Sequence, residues 1–487
     1  MSLIFILIPF IASAILFLLR PGGSRSIALF AALANLAATA YCLSCDYSQG
    51  MNCTFSVPWV ASAGISFSLG MDGITLIMLV LTNLLAPLII LSSWGRNYDN
   101  EPRYYGLLLL MLGALNGVFL AQDGLLFYVF YELALIPIYF ICAIWGGQDR
   151  IRVTLKFFIY TFVGSLFMLV ALLWVYLQTN VNGLPGGGVH SFAWADLVAV
   201  QLPAGTANWV LLGFFLAFAV KMPVFPLHTW QPDTYVTAPT GGTMLLSGVM
   251  LKMGTYGVIR WMIPLAPEAM HTLNPIFISL SVFGILYASI IAVKQSDIKR
   301  LVAYSSIAHV GLIAAGILAW NKAGVQGGII QMLNHGINVV GLFFIVDLLE
   351  RRLGTRSLAD MGGIAKSAPK FAALFMIIVL GSVAVPLTNG FPGEFLLLNG
   401  VWNYNFWLGL LAGLTIIFGA VYMLRAYGLV VFGETRPETA NFEDVNSREF
   451  LVLGIIAGLV LVLGFFPQSV LGLTDGSVDR ILRAVQI

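Results

Sequence analysis

Six ionisable side chains stand in stretches that otherwise carry almost no charge. They are Glu132 in LLFYVFYELALIPIYFI, Lys221 in GFFLAFAVKMPVF, Lys252 in LLSGVMLKMGTYG, His309 in AYSSIAHVGLI, His335 in IIQMLNHGINVV and Glu394 in GFPGEF. Carboxylate, ammonium and imidazole share one chemistry in such surroundings, the binding and release of a proton. Each charge at the centre of an apolar span costs about 2.5–3.5 kcal/mol on insertion scales. A lone charge there is expected to neutralise itself, whereas a facing Glu–Lys pair lets both partners stay ionised. We therefore expect Glu132 to pair with Lys221, with a strength set by local hydration, so that wetting the site or moving one partner releases a proton. A static ion pair that only fixes helix packing is the alternative, and an expensive one.

The remaining groups extend the same reading. Imidazole relays protons because its ordinary pKa is near 6.5. Ser305, Ser306, Gln331 and Asn334 lie within a turn of His309 or His335, which suits a hydrated chain. Lys252 is read either as a relay or as a lysine whose head snorkels to one face. His228 is read as relay or packing. Glu394 follows a helix break and is expected near a half-helix N-terminus, where the dipole favours negative charge. Asp72 in GMDGITLI reads as an N-cap.

The elements that position these groups follow from composition. Of 487 residues, 59 % are apolar and only 9 % charged, against about 25 % charged in an ordinary globular domain. This excludes a soluble enzyme and a disordered chain. With 24 Lys+Arg against 22 Asp+Glu, no basic face remains for nucleic acid. Four cysteines exclude a disulfide scaffold. Continuous apolar runs such as 451–466 exceed the roughly 10-residue alternating segments of a membrane barrel. The fold class is an all-α polytopic membrane protein. Spans are expected near 3–19, 27–44, 72–95, 105–121, 123–145, 152–178, 207–230, 240–262, 273–293, 298–319, 323–349, 368–400, 405–433 and 449–466, about fourteen in all. The first reads as a retained helix rather than a cleaved signal, since it lacks a basic leading segment.

Odd-to-even connections carry the basic residues, among them Arg20, Arg25, Arg96, Arg150, Lys299, Arg351 and Arg448; Arg260 and Lys322 are read as the few in the others. By the positive-inside rule the former connections are cytoplasmic and both termini lie outside. Cys45 and Cys53 then share the outer connection 45–70, where a bridge and two free thiols are both open. The outer loop 179–206 reads as an irregular cap.

Two spans must be broken. KMPVFPLHTWQP at 221–232 carries Pro223, Pro226 and Pro232, and AVPLTNGFPGE at 384–394 carries Pro386 and Pro392. Proline removes a backbone donor and clashes with the preceding turn. Five spans separate the two breaks, so they enter from opposite sides, a pattern of inverted repeats in transporters. The expected organisation is N-terminal helices 1–3 over 1–104, a first inverted repeat of helices 4–8 over 105–262, a second of helices 9–13 over 263–433, and helix 14 with a tail over 434–487. No Walker A, Rossmann glycine motif, Fe–S cysteine spacing or metal-ligand pattern occurs in the sequence. Energy must reach this chain from a gradient or from partner subunits.

From about residue 70 to 430 the sequence resembles the antiporter-like membrane subunits of respiratory complex I (NADH:quinone oxidoreductase). The resemblance rests on several long motifs in order: YELALIPIYFI with WGG, DRIRVTLKFFIYT with GS, VKMPVFPLHTWQPDTYVTAPTGG, LKMGTYGVIR, DIKRLVAYSSIAHVG, QMLNHG and GFPGEF. L-like and N-like members typically carry lysine on the second broken helix; M-like members carry glutamate, as Glu394 does here. The resemblance implies that Glu132 and Lys221 form a coupling pair, that Lys252, His309 and His335 lie on a central hydrophilic axis, and that Glu394 ends the second half-channel. It implies a proton-pumping subunit of a bacterial inner (plasma) membrane complex, without a cofactor of its own, with NADH, FMN, Fe–S clusters and quinone in partner subunits. The partners it implies are L-like and N-like antiporter subunits, the lateral helix of the L-like subunit, small membrane subunits and lipids. A subunit of a sodium/proton antiporter complex is the other class that shares this fold, and a spacer without transport is a third. One departure stands out: the family's usual LPDAH after the first break is QPDTY here, so Gln231 and Tyr235 replace a leucine and a histidine.

Overall fold

In lipid every backbone N–H and C=O must find its partner within the chain, which leaves apolar segments of this length one solution, the helix. The computed structural model describes residues 1–47, 50–179 and 190–485. It opens with α1 (Ile4–Leu19) and α2 (Ser24–Cys42), then an antiparallel hairpin of β1 (Asn52–Val60) and β2 (Ile65–Met71) with Phe55 opposite Leu69 and Val57 opposite Phe67. There follow α3 (Gly73–Ser93), α4 (Glu101–Leu120), α5 (Gly124–Leu133), α6 (Leu135–Trp145), α7 (Arg150–Gln178), the short α8 (Trp194–Val198) and α9 (Ala204–Lys221). Next come α10 (Gln231–Thr237), α11 (Thr240–Leu245), α12 (Lys252–Gly257) and α13 (Ile263–Leu265), with π turns at Leu246–Met250 and Val258–Met262. The second half holds α14 (Met270–Val293), α15 (Ile298–Leu318), α16 (Lys322–Leu353), α17 (Ile364–Ser367), α18 (Pro369–Ser382), α19 (Gly390–Tyr404), α20 (Phe406–Val431), α21 (Ser447–Phe465) and α22 (Gln468–Ala484).

Eleven helices among the described residues are long and apolar enough to cross a membrane. The expected spans at 3–19 and 368–400 fall on shorter apolar helices, α1 and α18, and the span at 240–262 is cut by the two π turns. Side-chain polarity sets the layering. The most apolar 18-residue stretch of α16 is 100 % buried and that of α15 94 %, so these two polar-studded helices form the centre. The corresponding stretches of α2, α20 and α21 are only 33 % buried, and these helices present apolar flanks outward. Acidic or amide caps begin many helices: Asp72 accepts from Thr75 N, Asp123 from Leu125 N and Leu126 N, Asp297 from Lys299 N and Arg300 N, and Asn321 from Gly324 N.

Both expected breaks are present. Helix ends at Lys221 and resumes at Gln231, with Pro232 tolerated in the first turn; it ends again at Ser382 and resumes at Gly390, with Pro392 likewise accommodated. The span expected at 123–145 is one membrane-length helical segment, Gly124–Trp145, in which a single turn residue, Ala134, keeps right-handed helical angles between α5 and α6. Pro137 has no N–H to give the Leu133 carbonyl, so one helical hydrogen bond is missing just after Glu132. The α16–α19 contact depends on a glycine seam: a Cβ on Gly400 would collide with the Gly324 backbone, so these helices touch main chain to main chain.

Three further expectations change. The connection at 45–70 is largely the hairpin, and Cys45 and Cys53 are free thiols. At its turn Gly64 has φ +61° and a Cβ there would run into the His190 carbonyl, so only glycine fits. Of the loop expected at 179–206, residues 180–189 lie outside the described residues, and α8 stands in the rest. The tail after α21 is an amphipathic helix, α22, whose Val470, Thr474, Ser477, Val478 and Ile481 face inward while Asp475 and Asp479 hold Lys322 at 2.7 and 2.9 Å.

Arg260 is not in a connection. It lies in the second π turn, buried, with its guanidinium 3.0 Å from Asp72 and 3.0 Å from the Gln122 amide oxygen, over the Trp194 ring. This pair ties the start of α3 to the broken helix that carries Lys252. Arg260→Met should lower unfolding stability in detergent by about 3–5 kcal/mol, the cost of leaving Asp72 buried alone. Adding Asp72→Asn should recover part of that loss; an unchanged unfolding midpoint for Arg260→Met would show the pair contributes nothing.

Candidate functional site

Lys252 lies between two π turns, an arrangement that shifts helix register and frees carbonyls for side-chain donors. Its Nζ donates to the Ser247 carbonyl at 2.7 Å and stands 2.9 Å from His335 Nδ1 on α16. With the ammonium as donor, Nδ1 accepts and a neutral His335 carries its proton on Nε2. The His335 and His309 ring centroids are 6.0 Å apart. His309 Nδ1 is 3.0 Å from Glu394 Oε1, and the Gln331 amide donates to the same oxygen at 3.4 Å. All four ionisable groups are buried. Four of the six residues singled out in the sequence thus form one line of neighbours across the centre of the protein, Lys252–His335–His309–Glu394.

The two histidines line a cavity of about 10 Å³ together with Ser305, Ser306, Gln331, Asn338 and Ser382. That is room for about one water. His309 Nε2, Ser306 Oγ, Gln331 Oε1 and Asn338 Oδ1 are buried there without a protein partner. Buried polar atoms are nearly always partnered, by protein or by ordered water. The cavity beside the two histidines therefore suits one ordered water. Glu394 stands five residues into α19, near the N-terminal end of a helix begun after a break, as the sequence suggested.

Glu132 and Lys221 are arranged differently from expectation. They are within electrostatic reach of each other, but no ion pair joins them within 4.0 Å, and Lys221 Nζ is buried without a hydrogen-bond partner. The ammonium instead lies 4.9 Å from the centre of the Tyr131 ring. Tyr131 and Glu132 are successive residues of α5, and successive residues do not share a helix face. His228 is buried against Phe225 and Tyr287, with ring centroids at 5.7 and 5.1 Å, and its Nδ1 has no partner. It is not part of the line through Lys252.

Several residues of this region escaped the sequence reading. Arg260 looked like a loop charge because its pairing with Asp72 spans 188 positions. Tyr131 and Asn338 carried no distinctive local signal. The π turns had none either.

A search against protein families matches residues 121–419 to "NADH:quinone oxidoreductase/Mrp antiporter, TM". NADH-quinone oxidoreductase subunit M of Rickettsia conorii is 41 % identical over 430 residues, 87 % of this chain and 85 % of that protein. The chain belongs to the NADH-quinone oxidoreductase subunit M family. Its Escherichia coli member is 37 % identical over 88 % of this chain and 84 % of its own length. Among solved structures, a chain of respiratory complex I from Thermus thermophilus with bound NADH matches with a TM-score of 0.90 at 32 % identity, over 100 % of both chains. A chain of the Mrp complex from Dietzia sp. matches with a TM-score of 0.85 at 20 % identity, over 99 % and 98 %; that likeness is one of fold.

In this subunit M family member the Glu394 carboxylate depends on a close approach. A Cβ on Gly393 would collide with the Gln331 amide oxygen, the side chain that donates to Glu394. Gly393→Ala should cost about 1–3 kcal/mol through overpacking, read as a lower thermal midpoint, and Gln331→Ala in the same chain should relieve it. A midpoint equal to wild type would mean Gln331 moves aside freely.

Proposed function

We propose that this chain is a proton-translocating subunit in the membrane arm of NADH:quinone oxidoreductase. The observation that carries the proposal is the contiguous buried line Lys252–His335–His309–Glu394 with the water-sized cavity beside it. Such a line has no packing purpose that apolar residues would not serve at lower cost. NADH oxidation and quinone reduction occur in partner subunits that hold NADH, FMN, Fe–S clusters and quinone. The partners include L-like and N-like antiporter subunits, the L-like lateral helix and small membrane subunits. The complex sits in a bacterial plasma membrane, with the basic connections cytoplasmic and both termini outside. Residues 105–262 and 263–433 act as two inverted half-channels.

In this reading Glu132 and Lys221 form the loading site and the line through Lys252 is the transfer path. A rearrangement that changes the distance between Glu132 and Lys221 shifts the lysine's hold on its proton. The break after Lys221 and the missing helical hydrogen bond after Glu132 provide backbone that can move. Driving one charge against 100 mV takes about 2.3 kcal/mol, and two units of change in proton affinity correspond to about 2.7 kcal/mol, so a modest displacement suffices. His228 lies within the break and serves as relay or packing.

The whole complex in proteoliposomes tests this. Lys221→Ala or Lys252→Met should lower NADH-driven quinone reduction and proton pumping together by about tenfold or more, equivalent to ~1.4 kcal/mol or more. Wild-type rates of both in an assembled Lys252→Met complex would refute a path through this chain. The sodium/proton antiporter reading predicts that pumping scales with sodium and persists without NADH; the proton reading expects NADH-driven pumping unchanged when potassium replaces sodium.

A further inference from the structure

Three of the four cysteines meet at one corner of the fold, where α2, the hairpin and α22 come together. α2 ends at Cys42, and the chain makes one more turn, with Cys45 N donating to the Cys42 carbonyl at 3.1 Å. Residues three apart on such a turn stand one above the other. Tyr47 then folds back: its hydroxyl donates to the Cys42 carbonyl at 2.9 Å and lies 3.2 Å from Met71 Sδ. Met71 stands opposite Asn52 across the hairpin, so the start of β1 is laid against the end of α2. The Asn52 amide donates to the Asp46 carbonyl. Cys45 precedes Asp46 and Cys53 follows Asn52, so that bond draws Cys45 and Cys53 together. The Cys42 and Cys45 side chains both neighbour the Cys53 thiol. From α22, Arg480 donates to the Tyr47 carbonyl at 3.1 Å.

Cys53 also has an unusual backbone. The ladder register shifts between Asn52 and Phe55, and Cys53, inside that bulge, has φ +52°. A residue with a Cβ rarely takes this conformation, and it persists only where the surroundings hold it. Bulges of this kind re-aim a side chain. Cys42 is buried, whereas Cys45 and Cys53 are partly exposed. Among the described residues these side chains are not arranged as a metal site. Adjacent thiols of which two can be reached from solvent have a chemistry of their own, exchange with a disulfide.

We propose that Cys42, Cys45 and Cys53 form a thiol–disulfide exchange site in which Cys53 is the sulfur common to either of two bridges. The Cys53 thiolate attacks one sulfur of an incoming disulfide and expels the other as a thiolate, leaving a mixed disulfide. Cys42 or Cys45 then attacks the Cys53 sulfur and expels the second thiolate. Two protein thiols are oxidised and one external disulfide is reduced to two thiols. The two protons lost by the protein pass to the two released thiolates.

Either bridge fastens β1 to the end of α2, at the corner on which α22 docks. Cys42 and Cys45 are presented from consecutive turns, so the loss of one leaves the other to close the bridge. The proposal rests on the reading above at one point, the side of the membrane. The hairpin joins the second and third spans on the side away from the basic connections, outside, where oxidising conditions let disulfides form.

The test uses the purified whole complex, reduced and then incubated with oxidised glutathione. It is denatured, labelled with maleimide and read by peptide mass spectrometry of this chain. Of its four cysteines, the wild type should lose two labels to an internal bridge that includes Cys53, while Cys142, buried in α6, stays labelled. Cys42→Ser and Cys45→Ser should each keep a bridge, and Cys53→Ser should form none. No internal bridge in the wild type, or one that survives Cys53→Ser, would overturn the proposal. Should Cys53→Ser fail to assemble, the double variant Cys42→Ser, Cys45→Ser replaces it: Cys53 should end as a mixed disulfide with glutathione, and an unmodified Cys53 would equally overturn the site. Intact cells separate the site from the membrane reading. A membrane-impermeant maleimide should label Cys45 and Cys53 only after reduction. A bridge in the purified complex without such labelling in cells leaves the exchange site standing and refutes the outer placement of the hairpin.

Discussion

The cost of a charge away from water governs this molecule. Glu132, Lys221, Lys252, His335, His309 and Glu394 would each be unfavourable against lipid. The fold answers by placing the two histidines of the line on its innermost helices, with Lys252 of α12 and Glu394 of α19 packed against them. Those helices, α15 and α16, are buried almost all round, and the lipid-facing flanks are left to α2, α7, α20 and α21. Partners come from within the line: ammonium to imidazole at 2.9 Å, imidazole to carboxylate at 3.0 Å. Such contacts also let a proton change owner without a large movement of heavy atoms.

The same groups require interrupted backbone. A regular helix consumes its own carbonyls, and a buried ammonium needs them. Beside Lys252 a π turn presents the Ser247 carbonyl. After Lys221 the helix stops for nine residues, and just after Glu132 one helical hydrogen bond is missing. Glu394 stands near the start of a new helix, where backbone N–H groups are in surplus. Interruption therefore accompanies all three groups on the first broken path and the carboxylate on the second. The regular helices around them, closed by caps and by ion pairs such as Arg96–Asp347 and Arg352–Glu449, supply the rigid frame.

Much of this was legible in the sequence. Membrane-spanning helices follow from length and apolarity, since lipid permits few alternatives. The breaks at 222–230 and 383–389 follow from proline, whose effect is local and steric. The missing helical hydrogen bond at Pro137 is equally local, and the run around it remains one span, as its hydrophobicity indicates. The hairpin at 52–71 and the amphipathic α22 were read as loop and tail because neither has the apolar length that marks a span.

What the sequence determined by itself is the inventory: which residue types can hold a proton, that they lie in apolar helices, and where those helices must open. These are properties of short stretches, set by side-chain chemistry and backbone sterics. Tertiary structure alone decided who meets whom. It joined Lys252 to His335 across 83 positions and His309 to Glu394, and it set the Tyr131 ring against Lys221 with the Glu132 carboxylate within electrostatic reach but beyond ion-pair distance. It likewise buried Arg260 on Asp72. Partnership of this kind depends on helix rotation and crossing, and a turn of 100° between successive residues is enough to exchange one neighbour for another.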